Sequence, residues 1–303
     1  MPTDVLSAAD LDLDLRPVDF AAPDGVTLSG RWLRPHPDAP AARAVVVVVC
    51  GAGIPARFYE RLARYLAHAG AAALTFDYRG IGASRRGALR GIDAGMDVWA
   101  LRDIEAALTT ARAQYPALPL CAVAHSVGTL LLGAAPTASR VSRCVFLGAH
   151  TGYWRDYHAK WRPLLYAVWH GFMPAVTRVV GYFPGRALGL GEDMPRQVAY
   201  DWAGRRRPEL VRTERDAQRF GPHLGRYGEF RAPTLSVSIT DDAFAPPEAA
   251  ERLLAMYPSL DAKREAVTPA SLGARRLGHF GFIRRAHGEA FWRRTAEWLF
   301  GSG

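Results

Sequence analysis

The chain has 303 residues, of which 49% are hydrophobic and 22% charged, with 38 Lys and Arg against 29 Asp and Glu for a formal net charge of +9. That length and apolar content can bury most of the surface of one large domain, and no linker or low-complexity tract divides it, so residues 1–303 are expected to form a single domain. The positive charge does not read as a nucleic-acid footprint, because its densest cluster, Arg205 to Arg207, is answered nearby by Asp201, Glu209, Glu214 and Asp216.

The N-terminal segment lacks a basic stretch followed by an apolar core, which makes a cytoplasmic location the expectation. Val18 to Arg34 carries Pro23-Asp24-Gly25 between two extended runs and predicts a β-hairpin. A proline-rich turn over Pro35 to Pro40 leads into Val45 to Cys50, a β-branched run typical of a strand covered on both faces. Helices near Phe58 to His68, Met96 to Gln114 and Val127 to Ala134 then alternate with strands at Ala71 to Asp77, Pro119 to Ala124 and Val141 to Leu147. Between 150 and 230 aromatic residues and Gly/Pro stops replace the strand signals, which predicts a helical cap inserted over one end of the sheet. A strand at Pro233 to Ile239, a helix from Pro246 to Met256, a strand around Ala262 to Val267 and a last helix near Glu289 to Phe300 complete the pattern. The fold class expected is α/β: a mostly parallel central sheet with an antiparallel N-terminal hairpin, helices on both faces and the cap.

Leu164 to Val180, the longest apolar stretch, is interrupted by His170, Pro174 and Arg178. It falls short of the ~18 uninterrupted apolar residues of a spanning helix, so no membrane span is expected. Cys50, Cys121 and Cys144 each lie in or at the end of an apolar strand and read as buried free thiols.

The chemistry is carried first by Ala124-His125-Ser126-Val127-Gly128, where a strand must turn sharply into a helix with small residues two positions either side of a serine. This is a nucleophile elbow: the turn strains the serine backbone, lifts Oγ above the sheet, and leaves no room for bulk at the flanks. A serine hydroxyl needs a histidine to take its proton and a carboxylate to hold the imidazole, and in this architecture both follow it with the acid first. After the strand ending at Thr240 comes Asp241-Asp242-Ala243-Phe244-Ala245-Pro246, and the spacing of Asp242 to the following helix favours it over Asp241. Only His279 and His287 follow that acid. His279 lies in a loop before the last helix and is preferred to His287, which falls at the helix start. The oxyanion needs at least two donors, for which the backbone N–H groups of Val127 and of Ala52, in Gly51-Ala52-Gly53, are the candidates.

Other readings compete. Ser126 and Asp242 could be helix caps and His279 a buried loop residue, but their joint order at the ends of the right elements favours catalysis. Gly51-Ala52-Gly53-Ile54-Pro55-Ala56, trailed by Asp77, is a passable dinucleotide fingerprint and would make the protein an NAD(P)-dependent oxidoreductase with Arg79 near a 2'-phosphate. That reading leaves the elbow, Asp242 and His279 unexplained. His125 reads as structural, because a residue beside the nucleophile points away from the reacting centre, although it stays among the substrate-binding candidates with Gly51, Gly53, Tyr153 and Trp154. The cap aromatics Trp154, Trp161, Trp169, Trp202, Tyr153, Tyr157, Tyr166, Tyr182 and Phe183 read as cap core that could also face an apolar acyl group.

These residues carry a resemblance. Thr75 to Ser84 is similar to the D-x-R-G-x-G-x-S segment of many α/β hydrolases. Thr151-Gly152-Tyr153-Trp154, Gly181 to Gly185, Thr240 to Pro246 and Gly278 to Phe282 resemble a bacterial group of predicted α/β hydrolases near the serine-aminopeptidase-like members. The resemblance implies Ser126, Asp242 and His279 as the triad, and implies no substrate. Cys50 departs from the histidine that many relatives carry before the oxyanion glycine.

The expectation is a cofactor-independent, metal-free serine hydrolase that cleaves a carboxylic ester or related acyl bond of a small molecule with an apolar portion. Acyl transfer by the same triad and a non-catalytic receptor are the alternatives. The sequence leaves oligomeric state open.

Overall fold

The computed structural model describes residues 13–35, 40–207, 209–211 and 213–301. The first twelve residues and most of the proline-rich turn, 36–39, lie outside the described residues.

Eight strands form one sheet: β1 (Leu13–Ala21), β2 (Thr27–Pro35), β3 (Ala44–Val49), β4 (Ala71–Phe76), β5 (Leu120–His125), β6 (Arg143–Leu147), β7 (Thr234–Ile239) and β8 (Ala262–Val267), in the order β1-β2-β4-β3-β5-β6-β7-β8. The β1–β2 hairpin pairs antiparallel and joins β4 antiparallel, whereas every pair from β4 to β8 is parallel. Gly25, at the expected turn, has φ of 82°, a conformation that glycine reaches without steric cost.

The continuous apolar runs explain where the strands sit. All residues of β3, β4, β5 and β7 are buried, as a parallel sheet covered on both faces requires. Cys50, Cys121 and Cys144 are buried and unpaired. The helix Glu60–His68 puts Leu62, Ala63, Leu66 and Ala67 toward the sheet, and its apolar spacing at three and four residues is why it packs as it does. The expected helix over 96–114 forms with a π-helical stretch, Trp99–Ile104, in its N-terminal half. The last helix begins at Arg285, four residues before its expected start, and places His287 in its first turn.

After β4 the chain crosses β3 and continues on its other side as β5. Loops that leave neighbouring strands in opposite directions open a crevice at the carboxyl ends, and this is where ligands bind in open α/β sheets. Here the residues after β3, β5, β6 and β7 converge. Between β6 and β7 the described residues contain helices and no sheet strand, among them the consecutive pieces Arg162–Ala167, Val168–Phe172 and Met173–Val180, and Arg196–Ala203. This segment packs over the crevice: Glu192 N–H donates to the Gly53 carbonyl, and the Trp202 ring meets His150 at 5.7 Å.

Candidate active site

Ser126 follows β5 directly with φ of 57° and ψ of −130°, and is the one non-glycine residue with positive φ among the described residues. Such a backbone is strained for an L-residue and is held only because its surroundings overdetermine it. Gly128 explains part of that constraint. A Cβ there would lie 2.7 Å from the Cys50 carbonyl oxygen and 2.8 Å from that of Val49, so only glycine lets the helix Val127–Leu132 start so close to β3.

His279 Nε2 lies 2.8 Å from Ser126 Oγ, and His279 Nδ1 lies 2.7 Å from Asp242 Oδ2. Asp242 is fully buried, and its other oxygen accepts the Phe244 and Ala245 N–H groups at 2.8 and 3.0 Å. Burial pushes its carboxyl up, but the His279 ring and these two amides outweigh burial and hold it below the usual carboxylate range. An ionised Asp242 only accepts, so His279 Nδ1–H donates to it and Nε2 presents its lone pair to the Ser126 hydroxyl. Asp241 does different work: its two oxygens accept the Leu277 and Gly278 N–H groups at 3.0 and 2.9 Å and fix the loop that carries His279.

His125 is buried, and both its ring nitrogens are engaged by groups other than Ser126. Its Nε2–H donates to the His279 carbonyl at 3.2 Å, its Nδ1 accepts the Tyr59 hydroxyl at 2.7 Å, and the Tyr59 oxygen accepts Gly51 N–H at 2.9 Å. Burial first, and then the neighbouring His279, keep His125 well below the ordinary histidine pKa and hence neutral. A single buried relay thus joins the loop after β3 to the histidine loop.

Gly51 is packed so tightly that a Cβ would meet Ser126 Cβ at 3.1 Å. Gly53 has φ of 65° and faces Met194. Ala52 lies half-buried between them, and Val127 is buried at the helix start beside Ser126. Tyr153 and Trp154 make their described contacts elsewhere, Tyr153 beneath Arg252 and Trp154 against Tyr166 and Arg155. The aromatic groups that reach the site are instead Phe244, 5.2 Å from the His279 ring, and Trp202; Trp169 joins both at 6.0 and 6.1 Å.

The dinucleotide reading finds no free acid. Asp77 is buried and accepts Ala56 and Ala83 N–H groups at 2.7 and 2.8 Å, while Arg79 is bound to Asp103 and Asp24. Among the described residues no cluster of His, Cys, Asp and Glu has the spacing of a metal site, and no helix is long and apolar enough to cross a membrane.

Sequence reasoning missed His150. Buried after β6, it places Nε2 3.0 Å from Ser126 Oγ. The ordering rule searches for histidines beyond the acid, and His150 precedes it; a lone histidine just past a central strand was the available signal.

Solved structures share this fold. The Pyrococcus furiosus esterase PF2001 aligns over 98% of this chain and 94% of its own, with a TM-score of 0.61 and 15% identity. A carboxyl esterase from Bacillus coagulans in complex with glycerol aligns over 95% and 98%, with a TM-score of 0.63 and 14% identity. A soluble variant of monoglyceride lipase from Saccharomyces cerevisiae, in complex with a substrate analog, aligns over 99% and 97%, with a TM-score of 0.65 and 18% identity. No curated protein matches the chain in sequence. The model of the family described as serine aminopeptidase, S33, matches residues 40–269. That match spans most of the chain and agrees with the observed sheet, and the protein therefore belongs to this family of α/β-fold serine hydrolases.

Proposed function

We propose that the protein cleaves carboxylic esters or closely related acyl bonds through an acyl-enzyme. Ser126 Oγ attacks the acyl carbon as its proton passes to His279 Nε2, and Asp242 stabilises the imidazolium that forms. The tetrahedral oxyanion takes hydrogen bonds from the Val127 and Ala52 N–H groups, each donor typically contributing ~2.7 to 4 kcal/mol. His279 returns the proton to the leaving alcohol. Water then repeats the sequence on the acyl-enzyme and restores Ser126. None of these steps calls for a metal or organic cofactor.

The observation that carries the reading is the unbroken chain from Asp242 through His279 to Ser126, at 2.7 and 2.8 Å, on a serine whose backbone is strained. The names of the structural neighbours, two esterases and a monoglyceride lipase, favour oxygen esters over peptides. Residues 150–230 act as a helical cap within one domain. Its Trp202 and Trp169, with Phe244, supply an apolar wall suited to a hydrophobic acyl or alkyl portion.

The test is intact mass after incubation with a fluorophosphonate, with Ser126→Ala alongside. One adduct on the wild type and none on the variant is expected. No adduct on folded wild type would sink the mechanism.

A further inference from the structure

We propose that His150 is a further catalytic residue, a neutral hydrogen-bond donor aimed at the nucleophile oxygen itself, which stabilises Ser126 Oγ whenever that atom carries developing negative charge. The inference rests on the acyl-enzyme reading above and adds to it a side chain outside the Ser126, His279 and Asp242 set.

Ser126 Oγ has one hydrogen and two imidazole neighbours, His279 Nε2 at 2.8 Å and His150 Nε2 at 3.0 Å. Asp242 accepts from His279 Nδ1, so the neutral His279 ring has a bare Nε2, and the serine proton goes there. The second contact can then be made only one way round: His150 Nε2–H donates and Oγ accepts. The other nitrogen agrees. His150 Nδ1 is buried and has no hydrogen-bond partner among the described residues, which a bare lone pair tolerates better than an N–H group left unpaired. Burial, followed by the proximity of His279 and Arg205, keeps the ring neutral, its pKa lowered to about 3. Trp202 packs edge-on against the ring at 5.7 Å and holds its direction.

The donor acts at two moments. During attack, Oγ gathers charge as its hydrogen leaves for His279 and the bond to the acyl carbon forms. During deacylation, water loses a proton to His279 and bonds to the acyl carbon; the carbon–Oγ bond then breaks, and the proton on His279 passes to Oγ. His150 transfers no proton in either step. Its N–H lowers the energy of Oγ as nucleophile and as leaving group. With an activated ester, whose alcohol departs readily, deacylation is the step that depends most on this donor.

The experiment compares wild type, His150→Phe and His150→Gln on a p-nitrophenyl ester by stopped flow, with thermal melts to establish folding and fluorophosphonate labelling to establish a working Ser126. The Phe variant keeps the shape and loses the donor; the Gln amide restores an N–H near the Nε2 position. The result expected for Phe is a kcat lowered by about 100-fold, the order seen when one preorganised donor is removed from developing charge, with a burst of one equivalent showing accumulated acyl-enzyme. Gln should recover at least about tenfold of that loss. Imidazole 15N NMR of the wild type should show His150 protonated at Nε2 and bare at Nδ1. A folded Phe variant within about threefold of wild-type kcat, a Gln variant no better than Phe, or the opposite tautomer would overturn the proposal. Failure of the acyl-enzyme reading has a separate signature, absence of labelling on the wild type.

Discussion

His279 and Ser126 are 153 residues apart in sequence and 2.8 Å apart in space, Nε2 to Oγ. Nothing local holds them together. The contact exists because β5 and β7 carry Ser126 and Asp242 to the same carboxyl end of the sheet, while Asp241 and Asp242 together fasten the loop that brings His279.

Asp242→Asn leaves the Phe244 and Ala245 contacts available but replaces the oxygen facing His279 Nδ1 with an N–H group. The ring must then take the other tautomer, with a hydrogen on Nε2 where the serine proton should go. A kcat lowered by about 10⁴-fold is expected, by analogy with the same substitution in other triads. Steady-state kinetics on a chromogenic ester, with circular dichroism to verify folding, checks it; a loss of less than about tenfold would contradict the orienting role.

Ser126→Gly should abolish activity and raise the melting temperature. The serine holds φ of 57° and ψ of −130°, a region glycine occupies without strain, and strain of this kind costs about 1–3 kcal/mol. Part of the gain is offset by the greater freedom of glycine in the unfolded chain, leaving about 1 kcal/mol, or roughly 2 °C. A calorimetric scan of both proteins decides it, and a lower melting temperature for the variant would count against stored strain.

Tyr59→Phe removes the hydroxyl that accepts from Gly51 N–H and donates to His125 Nδ1. Both groups are buried, and leaving them unpaired costs about 1–3 kcal/mol. Reduced denaturant midpoint and slower turnover are expected together, with fluorophosphonate labelling retained, because the relay supports the loops and does not touch Ser126 Oγ. An unchanged midpoint would show that the relay contributes no net stability.

Stability should fall on acidification. His150, lowered from 6.5 to about 3, and His125, lowered well below 6.5, stay neutral in the fold by virtue of burial and their neighbour His279, yet take up protons when the chain unfolds. Between the ordinary histidine pKa and about 3 the unfolded state therefore binds more protons, and stability declines as pH drops through that window. Asp242 adds to the loss at lower pH, as its carboxylate is finally protonated. Urea unfolding at pH 7 and pH 4.5 measures the slope, and His150→Phe should make it shallower; an equal slope in both proteins would show that His150 already carries a proton in the fold.

The sequence by itself determined what depends on local pattern. Apolar runs of six residues specify strands buried on both faces, Ser126 between small residues specifies a sharp strand-to-helix turn, and the rule that acid and histidine follow the serine leaves few choices. Spacing favours Asp242 over Asp241, because the loop must turn within a few residues into the helix Pro247–Leu254, and in the fold it is Asp242 whose Oδ2 lies 2.7 Å from His279 Nδ1. Tertiary structure alone decided which side chains meet across strands. Parallel pairing sets His125 opposite Leu147, so the loop after β6 stands beside Ser126, and His150 reaches its Oγ from there. In the same way Tyr59, 66 residues from His125, closes a relay that no spacing announces. Such contacts depend on strand order and register, which are global properties of the sheet. They are settled only when every strand has found its neighbour.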